Sequence, residues 1–309
     1  MHRYVLKRLL MLIPVLFGVA LVVFFIMDLT PGDPAVIVAG DDATPEQIET
    51  VRENLGLNDP FIVRYGRYML NIFKGDMGQS FVSKVDVFDT YFTKLPATLV
   101  LAIGSILVAL VISIPLGIMS ATHQNTWLDT LGTFVALIGM SMPNFWLGMM
   151  LILAFSNGLG WFPSGGFDGF RSIVLPAITE GVFLCALIMR NTRSSMLDVI
   201  RQDYIVTAKA KGVSRKGVIF HHAFRNALIP IITVAGMNFA YVLCGPVLTE
   251  TVFSWPGVGR LVYDSICKAD TNMVTGCLVL SCMFVSIVNL VVDLIYAFVD
   301  PRIKAQYSK

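Results

Sequence analysis

Six runs of apolar residues, each long enough to cross a bilayer, leave this chain few ways to fold. They cover about Leu9–Met27, Thr98–Ser120, Leu131–Phe155, Ile173–Met189, Ala227–Thr249 and Met273–Val299. A span needs about 20 apolar residues. Inside lipid the backbone must satisfy its own hydrogen bonds, which a helix does along its whole length. The fourth run is short and carries Glu180; the sixth carries Asn289 and Asp293. Charged residues make up 14% of the chain, where a soluble domain has about 25%. The sequence specifies an all-α membrane protein with six transmembrane helices. Arg3, Lys7 and Arg8 precede the first run as in a signal peptide. That run is too long for a typical signal core and no small-residue cleavage site follows, so it reads as a retained span.

Lys and Arg set the orientation, because short cytoplasmic loops carry the excess. A polar stretch, Asn191–Asn226, holds Arg193, Arg201, Lys209, Lys211, Arg215, Lys216 and Arg225 against Asp198 and Asp203. With this stretch inside, Arg3, Lys7, Arg8 and the tail residues Arg302, Lys304 and Lys309 are also inside. The short outer loops keep only Arg171, Arg260 and Lys268. The Ala121–Thr130 turn has no Lys or Arg and does not bear on the question. The expectation is a multi-pass protein with both termini in the cytoplasm.

Four segments follow: 1–30, a cytoplasmic tip and first span; 31–96, an extracytoplasmic cap; 97–300, five spans with the loop 191–226; and 301–309, a cytoplasmic tail. The cap is not featureless. Thr44-Pro45-Glu46-Gln47 has a capping residue, Pro at the first helical position and Gln three residues after the cap. Ile48, Val51 and Leu55 then share a face, and Gly56 stops the helix. Asn58-Asp59-Pro60 opens a second helix with the stripe Ile62, Tyr65, Met69, Ile72 and Phe73, ended by Gly75. Both helices are expected outside the membrane, packed on the spans or facing another protein. Pro14, Pro115 and Pro143 fall inside spans, where proline removes a hydrogen bond and bends the helix.

No catalytic constellation emerges. Gly212-Val213-Ser214-Arg215-Lys216-Gly217 resembles the opening of a phosphate-binding loop, but Val218 and Ile219 stand where Lys and Ser/Thr are required. His221 and His222 are adjacent and point about 100° apart on a helix, poorly placed to share a metal. Cys185, Cys244, Cys267, Cys277 and Cys282 include no CxxC pair. Neither a metal nor nucleic acid is expected as a ligand; the net charge of +2 is segregated by membrane side. Ionisable residues inside spans are costly and often functional. Glu180, Asn238, Asn289 and Asp293 are therefore candidates for a polar pathway or for bonds between helices. Asn289 and Asp293 share one face.

The polar stretch has the form of a docking surface for a soluble partner. Asp203-Tyr204-Ile205-Val206-Thr207-Ala208-Lys209-Ala210-Lys211-Gly212 reads as a short helix. Ala208 and Gly212 lie on one face, where small side chains let a partner approach, and Gly212 can end the helix.

These residues resemble the cytoplasmic loop of the permease subunits of peptide- and nickel-type ABC importers. His222-Ala223-Phe224-Arg225-Asn226-Ala227-Leu228-Ile229-Pro230 resembles it too, as do Pro31-Gly32-Asp33-Pro34, Leu55-Gly56-Leu57, Gly75-Asp76-Met77-Gly78-Gln79-Ser80, Phe253 through Leu261, and Asn289 to Asp300-Pro301-Arg302. Each match is weak alone; six in order are specific, and together they cover about residues 1–304. In the wider importer pattern Glu-Ala stand where this chain has Val206-Thr207, and only Ala208 and Gly212 match. The resemblance implies a type I importer bundle in the bacterial inner membrane that does no covalent chemistry. It also implies a coupling helix docked on an ATPase subunit through Asp203, Tyr204, Thr207, Ala208, Lys209, Ala210, Lys211 and Gly212. Arg215, Lys216 and Arg225 would steady the loop against the ATPase or lipid headgroups. ATP and Mg would be bound by two partner ATP-binding subunits, and no cofactor by this chain. A second homologous permease and an extracytoplasmic substrate-binding protein would complete the assembly, the latter meeting the cap. The cargo implied is di- or oligopeptides, with glutathione or nickel complexes as alternatives. A non-transporting membrane scaffold or receptor subunit is the reading from a different class; an isolated gene, without transporter genes beside it, would favour it.

Overall fold

The structure, a computed structural model, describes residues 2–30, 32–40, 42–243 and 245–299, with side chains from Leu10 to Val292 among them. Pro31, Cys244, Asp300-Pro301-Arg302, Lys304, Lys309 and the side chains of Arg3, Lys7, Arg8 and Asp293 lie outside the described residues. In chain order the helices are α1 (His2–Leu29), α2 (Pro34–Ala39), α3 (Pro45–Asn54), α4 (Phe61–Phe73), α5 (Val87–Thr122), α6 (Trp127–Ser141), α7 (Asn144–Leu151), α8 (Phe170–Ile200), α9 (Asp203–Ala210), α10 (Arg225–Leu243), α11 (Val247–Val252), α12 (Val258–Cys267) and α13 (Thr271–Val299). Wider π-helical turns occupy Ile152–Gly158 and Gly217–Phe224. Gln79 and Asp86 form an isolated antiparallel bridge. Among the described residues five helices are long and apolar enough to cross a membrane, and α6 with α7 makes a sixth span if the bent pair counts as one.

The chain forms two compact units. The first comprises residues up to Thr98 with Pro256–Val288; the second comprises Leu99–Trp255 with the chain from Asn289 onward. The first unit cuts across the division drawn at residues 30, 96 and 300, because α13 returns to the N-terminal segment. Leu12 and Leu16 of α1 share an apolar cavity with Cys282 and Ile287 of α13. The buried Asp270 carboxylate, just before α13, accepts from Ser80 Oγ and from the N–H of Phe81 (3.0 Å) and Met273 (3.2 Å). One acid thus joins the segment after α4 to the start of the last span.

The capping box of α3 forms as read: Thr44 N–H donates to Gln47 Oε1 (2.8 Å), and Gln47 N–H to Thr44 Oγ1 (3.4 Å). The stripe on α4 divides. Tyr65, Met69 and Ile72 are buried, whereas Ile62 is 66% exposed and Phe73 is exposed too; Leu70, outside the stripe, is also exposed. The helix seats on α1: Tyr65 Oη donates to the Phe17 carbonyl (2.8 Å), Phe61 and Tyr68 flank Phe24, and Phe73 meets Phe17 at 5.7 Å. Phe17 lies about 16 Å along the helix from Asp28 at 1.5 Å per residue, roughly half the ~30 Å hydrocarbon thickness. Seated against this part of a span, α4 is expected to lie level with one leaflet, where the sequence reading put it outside the membrane. Its polar edge turns to a small pocket shared by Arg64, Arg67, Asn71 and Asp28, where Arg64 pairs with Asp28 at 2.5 Å. In a cysteine-free background, Leu70→Cys is expected to react with a lipid-soluble maleimide and resist an impermeant one, while Glu53→Cys on exposed α3 reacts with both. Equal reaction of the two positions with the impermeant reagent would place α4 in water.

In the second unit the spans depart from single straight rods. The third run breaks after Ser141, and α6 and α7 meet at 97°, because Pro143 has no N–H to continue the ladder. Pro14, by contrast, sits within continuous α1, and Pro115 within continuous α5. The fourth run, short in sequence, extends to 31 residues as α8 and takes in Asn191–Ile200 of the polar stretch. The fifth run ends at Leu243 rather than Thr249, before Gly245-Pro246, and α11 follows.

Candidate functional site

The polar stretch is a folded knob. Past the end of α8, Gln202 is extended (ψ 147°) and α9 begins. Gly212 takes φ +78°. Its N–H donates to the Lys209 carbonyl (3.0 Å) and the Val213 N–H to the Ala208 carbonyl (3.2 Å). This paired closure needs a left-handed residue just past the helix. Ser214 then opens the next helical segment, its Oγ accepting from Gly217 N–H (3.3 Å) and its carbonyl from Val218 N–H (2.9 Å). Asn226 at the start of α10 donates to Tyr204 Oη (3.0 Å) and to the His222 carbonyl (2.8 Å), tying α9 to the following span.

One expectation is corrected. Ala208 is not on an outward close-contact face: it is 8% exposed and, with fully buried Ile205, forms the side of α9 that packs inward. Ile205 is large, so the inner side takes the anchor and the small residue together. The outward side is Asp203, Tyr204, Val206, Thr207, Lys209, Ala210 and Lys211. Gly212, Arg215, Lys216 and Arg225 are exposed as well. Lys209, Lys211, Arg215, Lys216 and Arg225 make no ion pair among the described residues. Five cations with no internal partner beside an exposed Tyr and Val suit an acidic or mixed protein surface.

Alongside, α6, α8 and α10 line an open cavity of about 1200 Å³. Asn238 lines it, its Nδ2 donating to the Val234 carbonyl (2.8 Å), as do Thr130, Thr133, Arg190 and Asn191. At its wall stands a cluster that the sequence reading missed. Arg193 Nε and Nη2 donate to Asp129 Oδ1 (2.7 Å) and Oδ2 (2.8 Å). Ser120 Oγ also donates to Oδ1, and the Asn125 N–H to Oδ2 (3.0 Å). From sequence Arg193 counts only as one positive charge among several. A signal existed: Asp129 is the only acid between Asp89 and Asp168, in a turn without any local cation.

Glu180 is 3% exposed. Its Oε2 accepts from Thr249 Oγ1 (2.8 Å) and Asn144 Nδ2 (3.3 Å), so it does join helices. Both donors sit just past helix breaks, Asn144 after Pro143 and Thr249 after Gly245-Pro246, which is why neither could be paired with Glu180 from sequence. The carboxylate borders a pocket of about 230 Å³ with Tyr241, Gly245 and Leu248. Asn289 is exposed, and the Asp293 side chain lies outside the described residues.

Residues 113–305 match the family described as binding-protein-dependent transport system inner membrane component, and residues 1–102 match its N-terminal membrane component. The dipeptide transport system permease protein of Alkalihalophilus pseudofirmus is 42% identical, over 98% of this chain and 100% of that protein. The glutathione transport system permease protein of Salmonella paratyphi A is 42% identical over 98% and 99%, and that of Escherichia coli K12 41% over the same shares. Among solved structures, an inward-facing MetNI methionine ABC transporter chain aligns with TM-score 0.59 at 18% identity, covering 69% of this chain and 97% of that one. At that identity the likeness concerns the fold.

Proposed function

Because the chain belongs to the family of inner-membrane components of binding-protein-dependent transport systems, we propose that this ABC importer permease carries short peptides and forms half of their path. The observation that carries the reading is the α9 knob: a closed helix with an outward Tyr204, Val206, Lys209 and Lys211 face, fastened to α10 through Asn226. Such a fastening lets a push on α9 move the span behind it. Membership implies ATPase and binding-protein partners in general. The finer reading is two ATP-binding subunits that hold ATP and Mg, one of them receiving α9, with a second, homologous permease facing the cavity of α6, α8 and α10. The termini and the α9 knob lie in the cytoplasm, as the Lys/Arg asymmetry favours. Exposed α3, in the segment the sequence reads as extracytoplasmic, is the surface offered to the binding protein.

Peptides are the preferred cargo because the relatives named above carry dipeptide and glutathione names. Glutathione itself is the second reading, supported by the equal identity of its permease. The test is uptake into proteoliposomes containing this chain, a sister permease, the ATPases and the binding protein. ATP-dependent dipeptide uptake that vanishes when this chain is left out is expected. Uptake that persists without it overturns the reading, and a working transporter with this chain as its sole permease overturns the heterodimer.

A further inference from the structure

We propose that the Glu180 pocket, next along the same helices from the cavity, receives the α-ammonium group of the cargo; the proposal rests on the peptide-importer reading above. The two spaces are consecutive on the same helix faces. Along α10, Val234, Met237 and Asn238 line the cavity and Tyr241, one turn on, lines the pocket. Along α8, Asn191 and Leu187 line the cavity, and Glu180 follows seven residues further, about 10 Å at 1.5 Å per residue. On the third wall α6 supplies Leu137 to the cavity, and Asn144, past the break, reaches the pocket.

The chemistry of the pocket asks for a cation. Thr249 and Asn144 both donate to Oε2, and among the described residues Oε1 accepts no hydrogen bond from the chain. The two donors fix the carboxylate plane and leave the second oxygen free. No Lys, Arg or His lines the pocket. It also borders the C-terminal end of α10 at Tyr241 and Val242, where the helix dipole places partial negative charge. A buried carboxylate and a helix C-terminus with no local cation are met best by a group that brings its own positive charge. A peptide's α-amine, with an ordinary pKa of about 8, carries that charge at neutral pH. At about 230 Å³ the pocket admits an amino end and not a whole peptide. A water takes up about 30 Å³ of liquid, so the ammonium can keep some of its hydration waters there and exchange one for Oε1.

The test is dipeptide uptake by the complete transporter in proteoliposomes, wild type beside Glu180→Gln, from about pH 6.5 to 9 across the α-amine's ordinary pKa. The binding protein is common to both, so its own pH response cancels in their ratio. The expected ratio of wild type to variant is about tenfold near neutral pH, the size of one partly compensated charge contact, and it shrinks as the amine loses its proton. A ratio that stays constant with pH means that Glu180 only joins helices and overturns the proposal, as does a ratio of one throughout. Glu180→Asp, which keeps the charge but withdraws it, gives the same reading if Glu180→Gln fails to assemble: its deficit must also shrink with pH, and a flat deficit overturns the proposal. Wild type that moves no peptide at all would sink the importer reading instead.

Discussion

Gly212→Leu is expected to cut peptide uptake at least tenfold while substrate still binds to the binding protein; the complex either assembles poorly or hydrolyses ATP without transport. The reason is conformational, not bulk. The space beside the Gly212 α-carbon is open to 4 Å, so leucine meets no wall of its own chain. A left-handed conformation costs an ordinary L residue about 1–2 kcal/mol, and the two closing hydrogen bonds at Lys209 and Ala208 are worth about 1 kcal/mol each. Losing roughly 2–3 kcal/mol shifts the equilibrium against the ordered knob by about 30- to 140-fold. Gly212→Asn, which tolerates that conformation, should keep most of the uptake. Lys209→Ala should cost little, since an exposed ion pair contributes about 0–1 kcal/mol. Uptake and ATPase rate in vesicles decide the matter. Normal uptake by Gly212→Leu at normal expression would remove α9 from the coupling role and leave the stretch as a headgroup-binding loop.

Arg193→Ala is expected to be the most destabilising single change in the second unit. It strands the buried Asp129 carboxylate, which keeps Ser120 and the Asn125 N–H but loses its two-pronged cation. Removing one partner of a buried pair costs about 3–5 kcal/mol; Arg193 is half-buried, so the lower end applies. The double change Asp129→Leu with Arg193→Leu should recover much of the loss, because replacing both charges by apolar groups is often near neutral. The measurement is the yield and thermal midpoint of the detergent-solubilised complex. A double variant no better than Arg193→Ala would show that the pair is not the source of the effect. Because the pair links the α6 turn to α8 beside the cavity, uptake by the double variant also reports whether the link matters for movement.

Much of the architecture was legible because lipid imposes simple rules. Apolar runs of span length gave the transmembrane helices, and the α3 cap box and the stops at Gly56, Gly75 and Gly212 followed from local hydrogen-bond chemistry. Local chemistry did not say which side of a helix finds a partner. Ala208 looked like a docking contact because small residues permit close approach, but the fold turned it inward beside Ile205. Ile62 and Phe73 looked like part of one packing stripe, but only Tyr65, Met69 and Ile72 are buried; Phe73 touches Phe17 at one edge and stays exposed.

The sequence by itself determined the class of this protein: a helical membrane chain with one basic polar stretch, and motif order enough to place it in its family. Tertiary structure alone decided what its buried polar groups do. Asp129 meets Arg193 across 64 positions, and Glu180 meets Thr249 across 69. Hydrophobic periodicity carries no record of such distances. An apolar run marks where a helix crosses the membrane, whereas the partner of a buried charge depends on how separate helices rotate, break at proline and pack.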